Sequence, residues 1–238
     1  GCHVTFLSRV PTPQLITKAF QEVQPRLICL VPLIMEKIYK KRILPVLESR
    51  RVKLMLKIPL LEKKIYQKIR NSLTETFGGK FIEVIIGGAA LSKEVEDFLL
   101  KIEFPFSVGY GMTECGPLIS YRPNSKFRAH SCGKGVDRMQ VRIKSDDPFN
   151  IVGEIQVKGS NVMKGYYKNP EATKEALDKD GWLGTGDLGI IDKDDNIYIK
   201  GRCKNMLLGP SGQNIYPEEI EACLNNMPFI QESIVTDD

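Results

Sequence analysis

The segment FIEVIIGGAALSKEVEDFLLKIEFPFSVGYG, residues 81–111, decides the predicted fold. Its apolar run from Phe81 to Ile86 predicts a strand, and the small residues of 87–90 predict a turn. Ser92 is typical of a helix cap, for a helix that continues to about Ile102. Phe104 to Gly111 then predicts the next strand. Strand and helix in alternation with short connections indicate a parallel sheet with helices on its faces.

The residues before this segment show the same alternation. Apolar residues at helical spacing predict helices, and runs of β-branched and apolar residues predict strands. In chain order the predicted elements are a strand over Cys2 to Ser8, a helix over Pro13 to Val23, a strand over Leu27 to Val31, a helix opened by Pro32, and a basic amphipathic helix over about Pro59 to Phe77. Gly78-Gly79 is expected to end the last helix as a C-cap.

After about residue 120 the pattern becomes antiparallel β. Strands are predicted over 141–144 and 153–158, and a hairpin joins 190–192 to 197–200 through Lys193-Asp194-Asp195-Asn196. One short helix, 171–177, interrupts them. Past Gly201 we predict a loop at 209–212, a helix from Pro217 and a strand over 230–236, which would begin an α+β domain. The fold class is therefore α/β, followed by a small antiparallel, barrel-like subdomain.

Composition excludes several classes of protein. The chain has 238 residues, of which 42% are apolar and 26% charged, as in a globular protein rather than a disordered or fibrous one. The best apolar run, Leu27 to Met35, is nine residues long and contains Pro32, whereas a membrane-spanning helix needs about 20. The first residues lack a signal-peptide layout. Six dispersed cysteines predict reduced thiols in a cytoplasmic protein, without a zinc site.

The charge is unevenly distributed. Residues 1–80 carry 16 basic and 5 acidic side chains, whereas residues 81–238 carry 18 and 24. Lys37 to Arg70 alone contains 12 basic residues. This stripe has two interpretations: solvated helix faces, or attraction to an anionic partner such as a phosphorylated cofactor or an anionic membrane surface. Nucleic acid is not predicted, because the stripe offers only Tyr39 and Tyr66 for stacking on bases.

Three segments predicted to be loops could each contact a nucleotide. Gly87-Gly88-Ala89-Ala90 would leave the backbone open to a planar ring, although any strand-to-helix turn can use glycine. In Gly109 to Glu114, Tyr110 could stack on a base, Thr113 could donate to a phosphate and Glu114 could bind Mg²⁺. A core tyrosine beside a capping threonine is the alternative.

The third segment is Trp182 to Asp187. Its Asp187 could accept hydrogen bonds from both hydroxyls of a ribose, or could simply occupy a tight turn. His3 and His130 have no nucleophile and acid around them in the sequence, and we interpret both as structural or surface residues.

The order GGAAL, YGMTE, GWLGTGD and YIKGRCKNM resembles the adenylate-forming superfamily, which includes acyl-CoA ligases, luciferases and the adenylation domains of peptide synthetases. The resemblance covers nearly the whole chain. Within the superfamily, VPLIMEKIYKKRILP at 31–45 and GPSGQNIYPEEIE at 209–221 look most like bacterial long-chain fatty acid–CoA ligases. The resemblance implies ATP, Mg²⁺ and CoA as cofactor and co-substrates and a long-chain fatty acid as substrate.

The resemblance also implies residue roles. Asp187 would bind the ribose hydroxyls with Arg202 at the same sugar, and Glu114 would ligate Mg²⁺ beside a phosphate contacted by Thr113. Lys204 would be the hinge between a large and a small domain. The remaining nucleotide-binding residues would be Gly88, Ala89, Ala90, Tyr110, Gly111 and Met112, with Gly209 to Gly212 approaching the pantetheine arm.

The implied reaction has two steps. A carboxylate attacks the α-phosphate of ATP to give acyl-adenylate and pyrophosphate, and the CoA thiol then displaces AMP after the small domain has rotated. The implied domains are 1–120, part of an α/β subdomain; 121–200, the barrel-like subdomain; and 201–238, the hinge and the start of a C-terminal lid.

Two family features have no counterpart here. Nothing in residues 1–80 resembles the family's phosphate loop, and no lysine follows Lys204 where the family has a catalytic one. We therefore expect an internal fragment that is inactive on its own. The rival hypotheses are adenylation of another acid, aromatic or amino acid, and a non-catalytic module that binds a nucleotide or an anionic surface. We expect a cytoplasmic protein, with peripheral membrane contact as one outcome of the basic stripe.

Overall fold

The computed structural model describes residues 3, 5, 13–209, 213–225, 227, 230 and 233–236. Its α-helices are α1 (Pro13–Val23), α2 (Pro32–Ile38), α3 (Leu44–Glu48), α4 (Arg50–Met55), α5 (Pro59–Thr76), α6 (Lys93–Lys101), α7 (Pro170–Ala176) and α8 (Pro217–Asn225). Its strands are β1 (Leu27–Leu30), β2 (Glu83–Ile86), β3 (Phe106–Val108), β4 (Tyr110–Gly111), β5 (Leu118–Tyr121), β6 (Lys134–Gly135), β7 (Met139–Lys144), β8 (Gly153–Gly159), β9 (Leu183–Ile191), β10 (Ile197–Arg202), β11 (Leu207–Leu208) and β12 (Asn214–Ile215).

The chain divides into two compact units, and the first comprises residues 1–91 and 95–107. Its sheet has the order β1-β2-β3. β1 runs parallel to β2, with Leu27 opposite Glu83 and Leu30 opposite Ile86. Helices α2 to α5 connect these two strands and α6 follows β2. The predicted α/β class with a parallel sheet and flanking helices is confirmed.

Aromatic rings fill the core of the first unit. The ring centroids of Phe77 and Phe81 lie 6.0 Å apart, and that of Phe104 lies 5.6 Å from Phe81 and 6.2 Å from Phe77. Pairs at such distances contribute about 0.5–1.5 kcal/mol beyond their buried area. Gly78 ends α5 at φ +89°, where a Cβ would lie 2.2 Å from the carbonyl oxygen of Phe20. The predicted glycine C-cap is thus required by both conformation and space.

The second unit comprises residues 92–94 and 108–238. It contains a four-stranded sheet of order β10-β9-β8-β7, a three-stranded sheet β4-β5-β6 and the pair β11-β12. Neighbouring strands in these sheets pair antiparallel, as predicted for this half of the chain. A core of buried side chains includes Tyr110, Cys115, Ile119, Ile155, Val157, Leu183 and Ile197.

The predicted strand over 104–111 is wrong as one element. β3 ends at Val108, and Tyr110 begins β4, which pairs antiparallel with β5. Glycine is required at position 111 for β5 to pack this closely against β4, because a Cβ there would lie 2.1 Å from the carbonyl oxygen of Pro117. An apolar run cannot reveal that its two halves join different sheets.

The predicted loop Trp182 to Asp187 is also wrong, because Leu183 to Asp187 form the first half of β9. Glycines at 184, 186 and 189 give this segment a low intrinsic strand propensity. Hydrogen bonding to β8 and β10 overrides that low propensity. At position 189 glycine is also required by space, because a Cβ there would lie 2.6 Å from the carbonyl oxygen of Tyr198.

The predicted C-terminal strand over 230–236 is not formed by the described residues 230 and 233–236. They bond to α8 instead: the Ser233 hydroxyl donates to Asn225 at 2.9 Å, and the Val235 N–H donates to the Glu221 carboxylate at 2.9 Å. The predicted strand over Cys2 to Ser8 lies largely outside the described residues, as do positions 210–212 of the predicted loop.

Two global sequence predictions can be compared with the described residues. Cys29, Cys115, Cys132, Cys203 and Cys223 carry free thiols. In the part of the chain that the structure describes, no helix is both long and apolar enough to cross a bilayer.

Candidate functional site

A buried carboxylate, Asp187, lies at the centre of the candidate site in the second unit. The Tyr110 O–H donates to its Oδ2 at 2.7 Å, and the Arg202 Nε approaches its Oδ1 at 3.1 Å. The Asp187 side chain is 10% exposed, whereas that of Arg202 is 70% exposed. Each carboxylate oxygen therefore has one charged or polar donor, which offsets the cost of burial.

Strand pairing fixes this arrangement. Asp187 and Arg202 are direct partners across β9 and β10, so their side chains lie on one face of the sheet. The N–H of Asp187 donates to the Thr185 hydroxyl at 3.1 Å, and that hydroxyl donates to the carbonyl of Ile155 at 2.8 Å. Thr185 thus links the backbone of Asp187 to β8. A carboxylate has about four lone-pair sites, so the two donors leave acceptor capacity for a ligand hydroxyl.

Tyr110 supports the carboxylate from the core. Burial, with the hydrogen bond to Asp187, holds the pKa of its phenol well above the ordinary value, so Tyr110 is a neutral donor at physiological pH. The residue is 8% exposed. The predicted stacking of Tyr110 on a base would therefore use only the small part of its ring that faces outward.

Removing the Tyr110 hydroxyl should destabilise the chain. We expect Tyr110→Phe to lower the free energy of unfolding by about 1–3 kcal/mol, because Asp187 loses one donor while remaining buried. Urea denaturation measures the change. Tyr167→Phe is the matched control, since Tyr167 is 88% exposed. Equal stability of the two variants would show that the Tyr110 hydrogen bond does not support the carboxylate.

Glu114 lies four residues beyond Tyr110, in a short 3₁₀ helix, Thr113–Cys115. The Tyr166 O–H donates to Glu114 Oε1 at 2.9 Å, and the Met163 N–H donates to the Glu114 backbone carbonyl at 2.7 Å. The hydrogen bond to Glu114 raises the pKa of Tyr166, which keeps the phenol protonated. Sequence reasoning missed Tyr166, because no pattern links position 166 to position 114.

A second missed residue, Asn161, fixes the backbone beside Glu114. Its Nδ2 donates to the carbonyls of Cys115 at 2.6 Å and Leu118 at 2.9 Å, on either side of the Gly116–Pro117 turn. The segment from Asn161 to Tyr166 therefore holds the Glu114 loop through one side-chain amide, one backbone amide and one phenol.

The other predicted residues of this loop are close in sequence but differ in exposure. Thr113 and Gly111 are exposed, whereas Met112 is partly buried and packs against the core of the second unit. Burial raises the pKa of the neighbouring Cys115 thiol to about 11. Cys115 is thus a neutral core residue rather than a nucleophile.

The donor set at Glu114 fits a magnesium ion that is shared with a substrate. Among the described residues, no group of three or more His, Cys, Asp or Glu side chains could enclose a metal. Mg²⁺ in nucleotide enzymes is commonly held by one or two carboxylates together with substrate phosphates. Glu114 can supply one such carboxylate.

Gly88, Ala89 and Ala90 belong to the first unit, directly after β2, and all three are exposed. Gly88 has φ +89°, a conformation that favours glycine, and its nearest neighbour would be a methyl group of Val31 at 3.9 Å. The exposed backbone and small side chains leave this segment open, and its contact with a planar ligand stays a prediction.

Lys204 lies in the exposed turn that follows β10. The N–H groups of Asn205 and Met206 both donate to the Arg202 carbonyl at 3.1 Å, and the Cys203 N–H donates to the Gly186 carbonyl at 2.8 Å. The structure therefore brings together Tyr110, Asp187 and Arg202, and separately joins Glu114 to Tyr166. The hinge role of Lys204 stays a prediction.

Comparisons with known proteins place this geometry in a family. Residues 1–167 match the AMP-binding enzymes. The 4-coumarate–CoA ligase 4 of Arabidopsis thaliana is 37% identical over 180 residues, which cover 70% of this chain and 31% of that protein. The chain thus spans about a third of the length of the curated relatives it matches.

Solved structures agree in fold. The o-succinylbenzoate CoA synthetase of Bacillus subtilis, in complex with its acyl-adenylate intermediate, superposes with a TM-score of 0.74 at 24% identity, over 95% of this chain and 41% of that one. The same enzyme with ATP and magnesium gives 0.71 at 23% identity, over 93% and 40%. Because the family match extends over well more than half of the sequence, this chain belongs to the AMP-binding enzymes, the adenylate-forming superfamily.

Proposed function

We propose that these residues form the central part of an ATP-dependent, AMP-forming acid–CoA ligase. The observation that carries the proposal is the hydrogen bond from Tyr110 to Asp187, which joins the YGMTE and TGD motifs across 77 positions of a chain in the AMP-binding family. The names of relatives support the co-substrates: one is a CoA ligase, and another is solved with ATP and magnesium.

The nucleotide would be held by groups already in place. Asp187 would accept hydrogen bonds from the ribose hydroxyls with its remaining lone pairs, while the exposed guanidinium of Arg202 contacts the same sugar. Thr113 would donate its hydroxyl to a phosphate. Within the second unit, the adenine would lie beside Tyr110 and the Gly111-Met112 backbone.

The reaction would proceed in two displacements. In the first, a carboxylate oxygen of the acid bonds to the α-phosphorus as the bond to the bridging oxygen breaks, and pyrophosphate leaves. In the second, the CoA sulfur bonds to the acyl carbon, AMP leaves and the thiol proton is released. Glu114, which is oriented by the hydrogen bond from Tyr166, would lie beside the phosphates. Magnesium, when bound, neutralises the negative charge that develops there.

The domain division and cellular location are parts of the same proposal. We infer an α/β subdomain up to residue 120, a barrel-like subdomain over 121–200, and a lid that begins at 201 and rotates about Lys204. The cytoplasmic location rests on the cysteines, whose described members are free thiols.

We infer an aromatic carboxylic acid as the substrate. The relatives at 37–38% identity over 180 residues are named 4-coumarate–CoA ligases, and 4-coumarate is a phenolic acid. The competing candidate is a long-chain fatty acid, which the segments at 31–45 and 209–221 favour. An amino acid is less well supported, because its ammonium group would require an acidic partner and no carboxylate can be assigned to that role.

The choice of acid is testable by ATP–pyrophosphate exchange in the full-length enzyme that carries these residues. We expect exchange with 4-coumarate to exceed exchange with palmitate by about tenfold or more, the range that apolar pockets discriminate. The opposite ratio would assign the enzyme to fatty acids. ATP binding without exchange for any acid would identify a non-catalytic binding module and overturn the proposed function.

A further inference from the structure

The first unit carries an exposed surface that the adenylation chemistry does not use. It is the corner between α4 and α5, residues 50–64, with the sequence RRVKLMLKIPLLEKK. We define these residues as the basic corner. Four of its apolar side chains are exposed: Leu54 by 66%, Met55 by 44%, Ile58 by 50% and Leu60 by 78%. Single exposed apolar residues are ordinary, whereas here four lie within seven positions of the sequence; we call these four side chains the apolar patch of the corner.

Positive charge surrounds this patch. The corner contains six basic side chains, all exposed: Arg50, Arg51, Lys53, Lys57, Lys63 and Lys64. Its single carboxylate, Glu62, is paired with Lys101 at 3.1 Å, and the Lys101 amine also lies 4.7 Å from the centre of the Tyr66 ring. The only carboxylate of the corner is thus neutralised by Lys101, which lies outside the corner, and the charged side chains that remain are the six basic ones.

The backbone of the corner suits contact with an apolar medium. The N–H groups of Leu56, Lys57 and Ile58 donate within the turn at 2.8–3.3 Å. Those of Leu61 and Glu62 both donate to the Ile58 carbonyl at 2.9 Å, and Pro59 has no N–H to satisfy. Moving these side chains out of water would therefore leave few backbone donors unpaired.

We propose that the basic corner docks on an anionic lipid membrane, with Leu54, Met55, Ile58 and Leu60 inserted among the acyl chains and the surrounding lysines and arginines at the headgroups. Exposed apolar side chains ringed by basic ones are the arrangement that interfacial helices use. Charge complementarity favours a lipid surface, because each basic residue near an anionic leaflet strengthens binding by about fivefold. A protein partner or burial by another part of the enzyme are the alternatives that the experiment distinguishes.

Vesicle flotation of the full-length enzyme tests the proposal. We expect it to float with phosphatidylcholine vesicles that contain phosphatidylserine at least about tenfold more than with phosphatidylcholine alone, and to be released by salt. Absence of flotation on anionic vesicles would overturn the proposal, as expected if protein covers the corner. Equal flotation on both vesicles would also overturn it.

Matched variants assign the binding to this surface. Leu54→Ser should reduce flotation by roughly tenfold, whereas Ile82→Ser, at the same 66% exposure, should leave it unchanged. Lys53→Glu with Lys57→Glu should abolish the preference for anionic lipid, and the exposed Lys179→Glu with Lys193→Glu is the control of equal charge. If the test and control variants lose flotation equally, the basic corner is not the surface that binds the membrane. Flotation does not depend on catalysis, so this test can fail or succeed independently of the pyrophosphate exchange that tests the proposed function.

Discussion

Glu114→Gln is expected to abolish most magnesium-dependent turnover while leaving the fold intact. The amide keeps the size of the carboxylate and can still accept from Tyr166, but it is neutral and a poor ligand for a hard cation. We expect kcat/KM to fall about a hundredfold to a thousandfold, or roughly 3–4 kcal/mol of transition-state stabilisation. The measurement is ATP–pyrophosphate exchange over a range of Mg²⁺ concentrations, with a thermal melt of each variant.

Two further variants sharpen that result. Tyr166→Phe keeps the Glu114 charge and removes only the phenol that orients it, so we expect a smaller loss and a higher Mg²⁺ requirement. Glu175→Gln, an exposed position in α7, is the control for a lost surface charge. Turnover at the wild-type level in Glu114→Gln would show that Glu114 does not bind the metal.

Elements with strong local signals were predicted from the sequence. Pro13–Val23 was predicted with both of its ends as observed, because its apolar spacing is that of a helix. The end of α5 was predicted because the Gly78-Gly79 pair has one physical use there, a left-handed cap. Local chemistry is sufficient in both cases.

The errors at 104–111 and 182–187 share one cause, which is strand pairing with segments further along or further back in the chain. The strand β9 forms despite three glycines because β8 and β10 hydrogen-bond to it. The run at 104–111 divides because Tyr110 pairs with Ser120 rather than continuing the parallel sheet. Ser120 lies ten positions from Tyr110, and Arg202 lies more than ten positions from Asp187.

The candidate site shows the same division. Tyr110, Glu114 and Asp187 were singled out from the sequence, because their side chains have recognisable chemistry within motifs that resemble a known family; their roles stay predictions. Tyr166 and Asn161 were missed, since each acts through a hydrogen bond to residues 43 or more positions away. A tyrosine or an asparagine between a strand and a helix carries no signal of its own.

Lys204→Pro is expected to separate the two half-reactions of the proposed enzyme. Proline fixes φ near −65° and restricts the preceding residue, Cys203, so rotation at this turn would be limited. The turn itself should survive: Asn205 and Met206 supply the N–H groups that close it, and the Lys204 N–H donates to no backbone carbonyl among the described residues. If the lid rotates here, acyl-adenylate should still form, while transfer to CoA falls at least about a hundredfold.

Single-turnover measurements of acyl-adenylate and thioester formation, in the full-length enzyme, distinguish the possible roles of Lys204. Lys204→Ala is the matched control, since it removes the same exposed charge but leaves the backbone free to rotate. If the charge alone matters, both variants lose the same step to the same extent. If the proline disrupts the turn, its melting temperature falls and both steps are lost together, because Arg202 and Asp187 are partners across β9 and β10. A hinge predicts loss of thioester formation in the proline variant alone, with an unchanged melt; full competence of that variant in both steps would refute the hinge.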